Sequence, residues 1–303
     1  METLLHYENA YNEKGLAVAL GNFDGVHLGH RKLFAKVIEE GKRLNIKTMV
    51  YTFEIHPNHL LAPEKPFHQI MDNYQKVRTI ESLNLDYLYL DDFVKVKDIS
   101  ALDFAEKILK DKFNVKSVTI GWNYRFGYKG EGTAELLLEL GRKLGFVVNI
   151  LSPVQINGHT VSSTLIRHYI RTGDMEDAAL YLGQNFSLRS KVIHGKRNGG
   201  KMGIHTANLE IDSIMTLPHK GVYATNTIYL NNTYKSVTNV GTNPTFDGQE
   251  TTVETHIFDF KGNLYGEFIE VEFLKKLRDE IKFQNVKALI DKIAEDIEER
   301  VKM

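Results

Sequence analysis

Leu20-Gly21-Asn22-Phe23-Asp24-Gly25-Val26-His27-Leu28-Gly29-His30 is the stretch whose reading decides this chain. The apolar run Leu16-Ala17-Val18-Ala19-Leu20 before it reads as a buried strand. After it, Leu33, Phe34, Val37, Ile38 and Leu44 recur at helical spacing, predicting a helix from Arg31 to Leu44. The stretch is therefore a glycine-rich turn from strand to helix, with two histidines three residues apart at the mouth of the helix. Such a turn offers free backbone N–H groups and the positive end of a helix dipole, which suit an oligophosphate. Gly21 and Gly25 let the main chain of Asn22, Phe23 and Asp24 approach a ligand closely. His27 and His30 can donate hydrogen bonds to phosphate oxygens as charge builds on them.

The stretch matches neither Gly-x-x-x-x-Gly-Lys-Ser/Thr nor Gly-x-Gly-x-x-Gly. It resembles the His-x-Gly-His signature that class I aminoacyl-tRNA synthetases and related nucleotidyltransferases use on ATP. Half a metal site and a pair of ordinary surface histidines are the competing readings. The strand, glycines and helix around the histidines favour a nucleotide.

A length of 303 residues predicts two domains. The net charge of −1 gives no global reason to expect nucleic acid or an acidic membrane as partner. The absence of cysteine removes disulfides, thiol nucleophiles and cysteine-ligated zinc, and fits a reducing compartment. No signal peptide and no membrane-length apolar run is evident, so a cytoplasmic location is expected.

Up to Gly183, strand-like runs alternate with helical patterns, which predicts βαβ units and a parallel α/β sheet. Lys47–Phe53 reads as a second strand, and Pro57 is expected to stop regular structure just beyond it. Tyr74–Leu85 reads as a helix with Val77, Ile80, Leu83 and Leu85 inward. Strands are expected at Tyr87–Leu90, Val115–Ile120 and Phe146–Leu151, and helices around Phe104–Leu109 and Glu135–Leu144.

Two turns in this half carry further chemistry. Gly121-Trp122-Asn123-Tyr124-Arg125-Phe126-Gly127 crowds aromatics and an arginine between glycines. It could stack on a flat heterocycle and pair with phosphate, or be a packed aromatic loop; the residues alone do not choose. Ser162-Ser163-Thr164-Leu165-Ile166-Arg167 reads first as the N-cap of a helix. Its hydroxyls and N–H groups also suit a β- or γ-phosphate, with Arg167 as charge partner.

After Gln184-Asn185-Phe186, the candidate linker, short strand-like runs recur without helices between them. They predict an antiparallel barrel or sandwich, closed by a helix at Val286–Val301. Gly195–Lys201 imitates the start of a phosphate-binding loop, but Met202 stands where a hydroxyl is needed and no helix pattern follows.

Taken together, these pieces resemble one family, the prokaryotic bifunctional riboflavin kinase/FMN adenylyltransferase, or FAD synthetase. Gly21–His30, Thr52-Phe53-Glu54-Ile55-His56-Pro57, Asn123–Gly127 and Ser162–Arg167 carry the likeness in the first half. Thr206-Ala207-Asn208, Asn239–Thr245, Val253–Phe260 and Leu277–Phe283 carry it in the second. The resemblance implies a Rossmann-like nucleotidyltransferase domain over 1–183 and a riboflavin-kinase-like β-barrel over 184–303. It implies small-molecule substrates, ATP with FMN or riboflavin, and Mg²⁺ as the cation.

In the first reaction FMN attacks the α-phosphorus of ATP and pyrophosphate leaves, so the protein supplies position and charge. By resemblance His27 and His30 serve the ATP phosphates, while Ser163, Thr164 and Arg167 serve the β/γ end. Asn123, Arg125 and Phe53 belong to the nucleotide and flavin pocket. In the second reaction the γ-phosphate passes to the 5′-hydroxyl of riboflavin. Thr206 and Asn208 match the family's ligands for Mg²⁺–ATP, Glu254 its base, and Arg278 a flavin contact.

The chain departs from the family at the kinase flap, usually near Arg-Gly-Arg-x-Leu-Gly-Phe-Pro-Thr-Ala-Asn. Here it reads Asn198-Gly199-Gly200-Lys201-Met202-Gly203-Ile204-His205-Thr206-Ala207-Asn208. Losing the proline loosens the turn that presents Thr206. Losing an arginine over phosphates removes roughly 1.5–3 kcal/mol, where about 1.4 kcal/mol is tenfold in rate. The sequence therefore predicts an FMN adenylyltransferase with a weak or silent kinase. The alternatives are a fully bifunctional enzyme and a barrel that only binds flavin or mediates assembly.

Overall fold

The computed structural model describes residues 1–5, 11–62, 64–194, 206–245, 248–281 and 283–303. The kinase flap as far as His205, and the false phosphate loop, lie outside the described residues. The chain divides into two compact units, 1–67 with 73–162, and 68–72 with 163–303.

In the first unit Leu16–Leu20 (β2) is buried at every position, as an unbroken apolar run must be when both faces of a parallel sheet are covered. It pairs in parallel with Lys47–Phe53 (β3) on one side and Val115–Gly121 (β5) on the other. Glu2–Leu5 (β1), Tyr87–Asp91 (β4) and Val147–Leu151 (β6) complete the sheet in the order β1-β4-β3-β2-β5-β6. The chain walks outward from β2 through β3 to β4, then crosses back to β5. The order thus reverses between β2 and β5, and the crevice beyond their carboxyl ends is the favoured ligand position in such sheets. Turns 20–30 and 121–127 both leave from those two strand ends.

The helices of this unit are Leu28–Leu44 (α1), Pro57–Leu61 (α2), Asn73–Glu81 (α3), Phe93–Val96 (α4), Ala101–Asp103 (α5) and Ala134–Leu144 (α6). A small hairpin, Gln155–Ile156 (β7) with His159–Thr160 (β8), follows the sheet. Three details differ from the sequence reading. Helix α1 begins at Leu28 rather than Arg31, because His27 itself is the N-cap. Pro57 does not end regular structure but opens α2, where its missing N–H is harmless and His56 caps it. From Phe104 to Lys112 the chain is a π-helix, with Phe113 N–H donating five residues back to Ile108 at 3.2 Å. That wider turn buries Phe104, Ala105 and Leu109, a spacing that a 3.6-residue search does not register.

In the second unit Ser163–Thr172 (α7) and Met175–Leu182 (α8) precede six antiparallel strands. These are Phe186–Ile193 (β9), Ala207–Leu209 (β10), Gly221–Tyr229 (β11), Asn232–Thr245 (β12), Gly248–Ile257 (β13) and Phe268–Arg278 (β14). They close as β10-β13-β12-β11-β14-β9, with β9 also bonded to β10, so the sheet is a barrel and not a sandwich. Closure leaves no free edge. A run of hydroxyls is sealed within the unit: Thr225 meets Ser236 and Thr238 at 2.8 Å, Thr227 donates to Ser236, and Thr238 donates to Thr255. All five residues are buried, and each hydroxyl satisfies a neighbour that would otherwise be costly to desolvate.

Val286–Lys302 (α9) is pinned to the barrel by charge. Arg278 grips the buried Asp296 with Nε and Nη2, the shortest contact 2.7 Å. Buried Arg300 donates to the Thr225 carbonyl and to Asn226. We expect Asp296→Ala to cost about 3–5 kcal/mol, because it strands a half-desolvated guanidinium. A lowered urea midpoint for the barrel is the readout, and an unchanged midpoint contradicts this reading of the pair.

Candidate functional site

The turn after β2 is held by short local bonds. Gly21 N–H donates to Tyr51 at 3.3 Å and the Thr52 hydroxyl to the Asn22 carbonyl at 3.1 Å, which ties the turn to β3. Phe23 (φ 50°), Gly25 (φ 85°) and Val26 (φ 43°) all lie in the left-handed region. That conformation is natural for glycine and strained for a buried β-branched valine. The strain aims the next residues. His27 caps α1, its Nδ1 accepting from His30 N–H at 3.3 Å, so the proton of neutral His27 sits on Nε2. The two imidazoles stack, centroids 3.5 Å apart and nearly parallel. A Cβ on Gly29 would stand 3.0 Å from the His27 ring, and one on Gly21 2.9 Å from the Phe23 ring.

Phe23 meets His30 edge-on, and His30 Nδ1 is buried with no hydrogen-bond partner. An orphaned buried ring nitrogen is costly unless a ligand completes it. Burial, then the neighbours His27 and Lys76, hold the His30 imidazole well below its ordinary 6.5, so it is neutral at pH 7. Asp24 and Lys76 are both buried nearby, and burial lowers the Lys76 ammonium while Asp24 opposes the shift.

The second turn is divided. Tyr124 and Phe126 stack and pack inward, Phe126 exchanging two backbone bonds with Gly132. Gly127 (φ 74°) has no room for a side chain, since a Cβ would meet the Ala101 backbone at 2.6 Å. Trp122, Asn123 and Arg125 remain exposed, Trp122 to 55%. Part of this stretch is thus core and part is open to a ligand. Phe53 at the end of β3 is half-buried, edge-on to Tyr51 and Phe93. Ser163, Thr164 and Arg167 occupy the start of α7 in the second unit, while Ser162 ends the first.

In the barrel, β10, β13 and β12 bring Asn208, Glu254 and Asn239 into one row, Glu254 paired with both neighbours. Gly241 is a close fit there, as a Cβ would lie 2.7 Å from Glu280 and 3.1 Å from Asn239. Burial raises the Glu254 carboxyl above its usual 4.5, toward the range of a working base. Thr206 immediately precedes β10. The oxygen donors Thr206 and Asn208 suit a hard cation that takes its other ligands from phosphate and water. Among the described residues no cluster of three or more acidic, histidine or cysteine side chains forms a self-sufficient metal cage. Arg278, expected at the flavin, has its guanidinium engaged with Asp296 and the Asp279 carbonyl.

Lys76 escaped the sequence reading, which placed only Val77, Ile80, Leu83 and Leu85 on the inner side of that helix. The signal was present: Lys76 stands four residues before the fully buried Ile80 and shares its face. The Tyr51 hydroxyl's bond to the buried Asp91 carboxylate was equally invisible in the strand patterns.

The fold and its two polar centres define an α/β nucleotidyltransferase joined to a flavokinase barrel. The FAD synthetase family model matches residues 9–165 and the riboflavin kinase model residues 182–303. The chain is 37% identical to the bifunctional riboflavin kinase/FMN adenylyltransferase of Buchnera aphidicola from Acyrthosiphon pisum, over 92% of this chain and 90% of that one. The bifunctional protein of Escherichia coli K12 is 32% identical over 96% and 94%. A solved structure from Streptococcus pneumoniae described as a macrolide-efflux protein superposes with TM-score 0.87 at 31% identity, covering 98% of each chain. No helix among the described residues is long and apolar enough to cross a membrane. The chain belongs to the bifunctional riboflavin kinase/FMN adenylyltransferase family, and it is an FMN adenylyltransferase that acts on ATP and FMN.

The expectation of a weak or silent kinase is corrected by these matches. The riboflavin kinase model spans the whole barrel, and relatives aligned across nearly their full length are bifunctional. Among the described residues the Asn208–Glu254–Asn239 row is in place.

Two outcomes follow for the turn. Gly29→Ala should push the His27 ring off its cap and lower FAD formation with little loss of stability, measured by FMN turnover beside thermal melting. His30, depressed in the folded state, contributes stability that is present above pH 6.5 and lost as pH falls toward its folded value. His30→Gln should therefore flatten the acid limb of the melting-temperature profile below pH 6.5.

Proposed function

We propose that the chain converts riboflavin to FAD in two ATP-dependent steps, with kinase chemistry in 184–303 and adenylyl transfer in 1–183. The observation that carries the assignment of the adenylyl site is the buried, unpartnered Nδ1 of His30 beside the cap of α1. His27 and His30 bind the ATP phosphates and stabilise the charge that grows on the departing pyrophosphate. The backbone of Gly21, Asn22, Phe23, Asp24 and Gly25 approaches the nucleotide, while the exposed Asn123 and Arg125 and the half-buried Phe53 receive adenine and flavin. Ser163, Thr164 and Arg167 retain the phosphate role their motif gives them. No proton need be removed by the protein in this step, because the FMN phosphate is already an anion.

In the barrel, Glu254 takes the proton of the riboflavin 5′-hydroxyl, helped by the burial that raises its carboxyl. Thr206 and Asn208 would hold Mg²⁺, which when bound neutralises charge on the ATP phosphates. Substrates of this kind fit a cytoplasmic enzyme.

Purified protein given riboflavin and ATP–Mg²⁺ should form FMN and then FAD. Glu254→Gln should slow FMN formation about 10²–10⁴-fold and leave FAD formation from added FMN intact. His30→Gln should do the reverse, with a loss near 10²–10³-fold. In the wild type, kinase kcat/KM should rise with pH through a value above 4.5. Loss of both reactions in both variants contradicts the division of labour.

A further inference from the structure

Beside Glu254 the barrel carries a second carboxylate that the proposed kinase step does not use. Asn239 and Gly241 stand two residues apart on β12, and their partners on β13 are Glu254 and Thr252. Strand alternation sends all four positions to one face of the sheet. The space left by Gly241 is filled from elsewhere: a Cβ on it would lie 2.7 Å from Glu280 Oε1 and 3.1 Å from Asn239 Nδ2. Glu280, from the segment after β14, therefore projects over the rung next to the Asn239–Glu254 pair.

Its neighbours in the chain hold it there. Arg278 Nη1 donates to the Asp279 carbonyl at 3.1 Å, while the rest of the guanidinium grips Asp296. Lys276 Nζ donates to the Asp279 carboxylate. The backbone is thus fastened immediately before Glu280, and Lys276 and Arg278 are both paired away from it. Among the described residues no hydrogen bond or ion pair engages the side chains of Asn239, Glu254 or Glu280. Their donors and acceptors are left for a ligand.

The chemistry of that ligand follows from the layout. Asn208 and Asn239 flank Glu254 on opposite sides. With Thr206 and Asn208 on the triphosphate side, Glu280 and Asn239 lie on the other. A second carboxylate repels phosphate there and accepts from hydroxyls, while the Asn239 amide donates to hydroxyl oxygens. One pleat separates Glu254 from Thr252, about 6.8 Å, the reach of an extended five-carbon polyol with its terminal oxygen.

We propose that Glu280 is a substrate-binding residue of the kinase: with Asn239 and Thr252 it holds the secondary hydroxyls of the flavin's polyol chain and so sets the terminal hydroxyl at Glu254. A site built this way selects a polyhydroxylated flavin over one with a bare alkyl chain, because its polar groups are left unpaired by the latter. Gly241 is required because a side chain there would take the carboxylate's place. This rests on the reading of the barrel as a riboflavin kinase.

The test gives the full chain ATP–Mg²⁺ with two flavins, riboflavin and the same ring system carrying a 5-hydroxypentyl chain. The analogue keeps the terminal hydroxyl and lacks the others. The wild type should favour riboflavin in kcat/KM. Glu280→Ala should lose about 10- to 100-fold on riboflavin and almost nothing on the analogue, so that the preference collapses. Glu280→Gln, which keeps an acceptor oxygen, should recover part of the loss. Gly241→Ala should reproduce it with Glu280 intact, because the new Cβ displaces the carboxylate. FAD formation from added FMN serves as an internal control and should not change. A wild type that forms no FMN overturns the kinase reading, and the proposal falls with it. A wild type that forms FMN, while Glu280→Ala slows both flavins equally or neither, overturns the role of Glu280 alone. So does a loss that excess Mg²⁺ restores, since the carboxylate is then a cation ligand. Should the variants fail to fold, the wild-type ratio decides, and equal kcat/KM for the two flavins overturns the proposal.

Discussion

One weak-looking hydrogen bond organises the adenylyl half, that from His30 N–H to His27 Nδ1 at the start of α1. It needs a non-helical His27, which follows from the left-handed Phe23, Gly25 and Val26 before it. It needs Gly29, because a Cβ there would crowd the His27 ring. Once made, it fixes the tautomer of His27, stacks the two rings and leaves His30 Nδ1 unsatisfied inside the protein. Strain of this kind costs on the order of 1–3 kcal/mol per residue. It is tolerable because the five buried residues of β2 and the pairing with β3 and β5 hold the turn from behind.

The barrel is organised by different physics. Its polar centre is a row of side chains spaced by strand pairing, so the geometry of Asn208, Glu254 and Asn239 is as rigid as the ladder beneath it. Alternation sends Thr255, beside Glu254, to the opposite face, where it joins the buried hydroxyls. In the function proposed, a turn strained at its backbone holds the nucleotide without acid–base work. In the same proposal, the Glu254 carboxyl, raised by burial, suits the step in which a hydroxyl must lose its proton.

The sequence disclosed what is local and periodic. The unbroken run of β2 and the glycines of the turn were enough for the α/β half, and the even strand spacing beyond Phe186 for an antiparallel barrel or sandwich. It hid what depends on pairing in space. Lys76 looks like any helical lysine until α3 is docked. The π-helix from Phe104 has no signature at a period of 3.6. The contact of Arg278 with Asp296, eighteen residues later, likewise shows only in space. The flap misled for a different reason. Single substitutions weigh heavily in a linear pattern, yet they say little about a polar row assembled from three strands.

The most direct test is a crystal structure of the whole chain with a non-hydrolysable ATP analogue. A phosphate oxygen within hydrogen-bonding distance of His30 Nδ1, with the His27–His30 N–H bond kept, is the predicted result. A triphosphate bound away from this turn, with His30 Nδ1 still unpartnered, would contradict it.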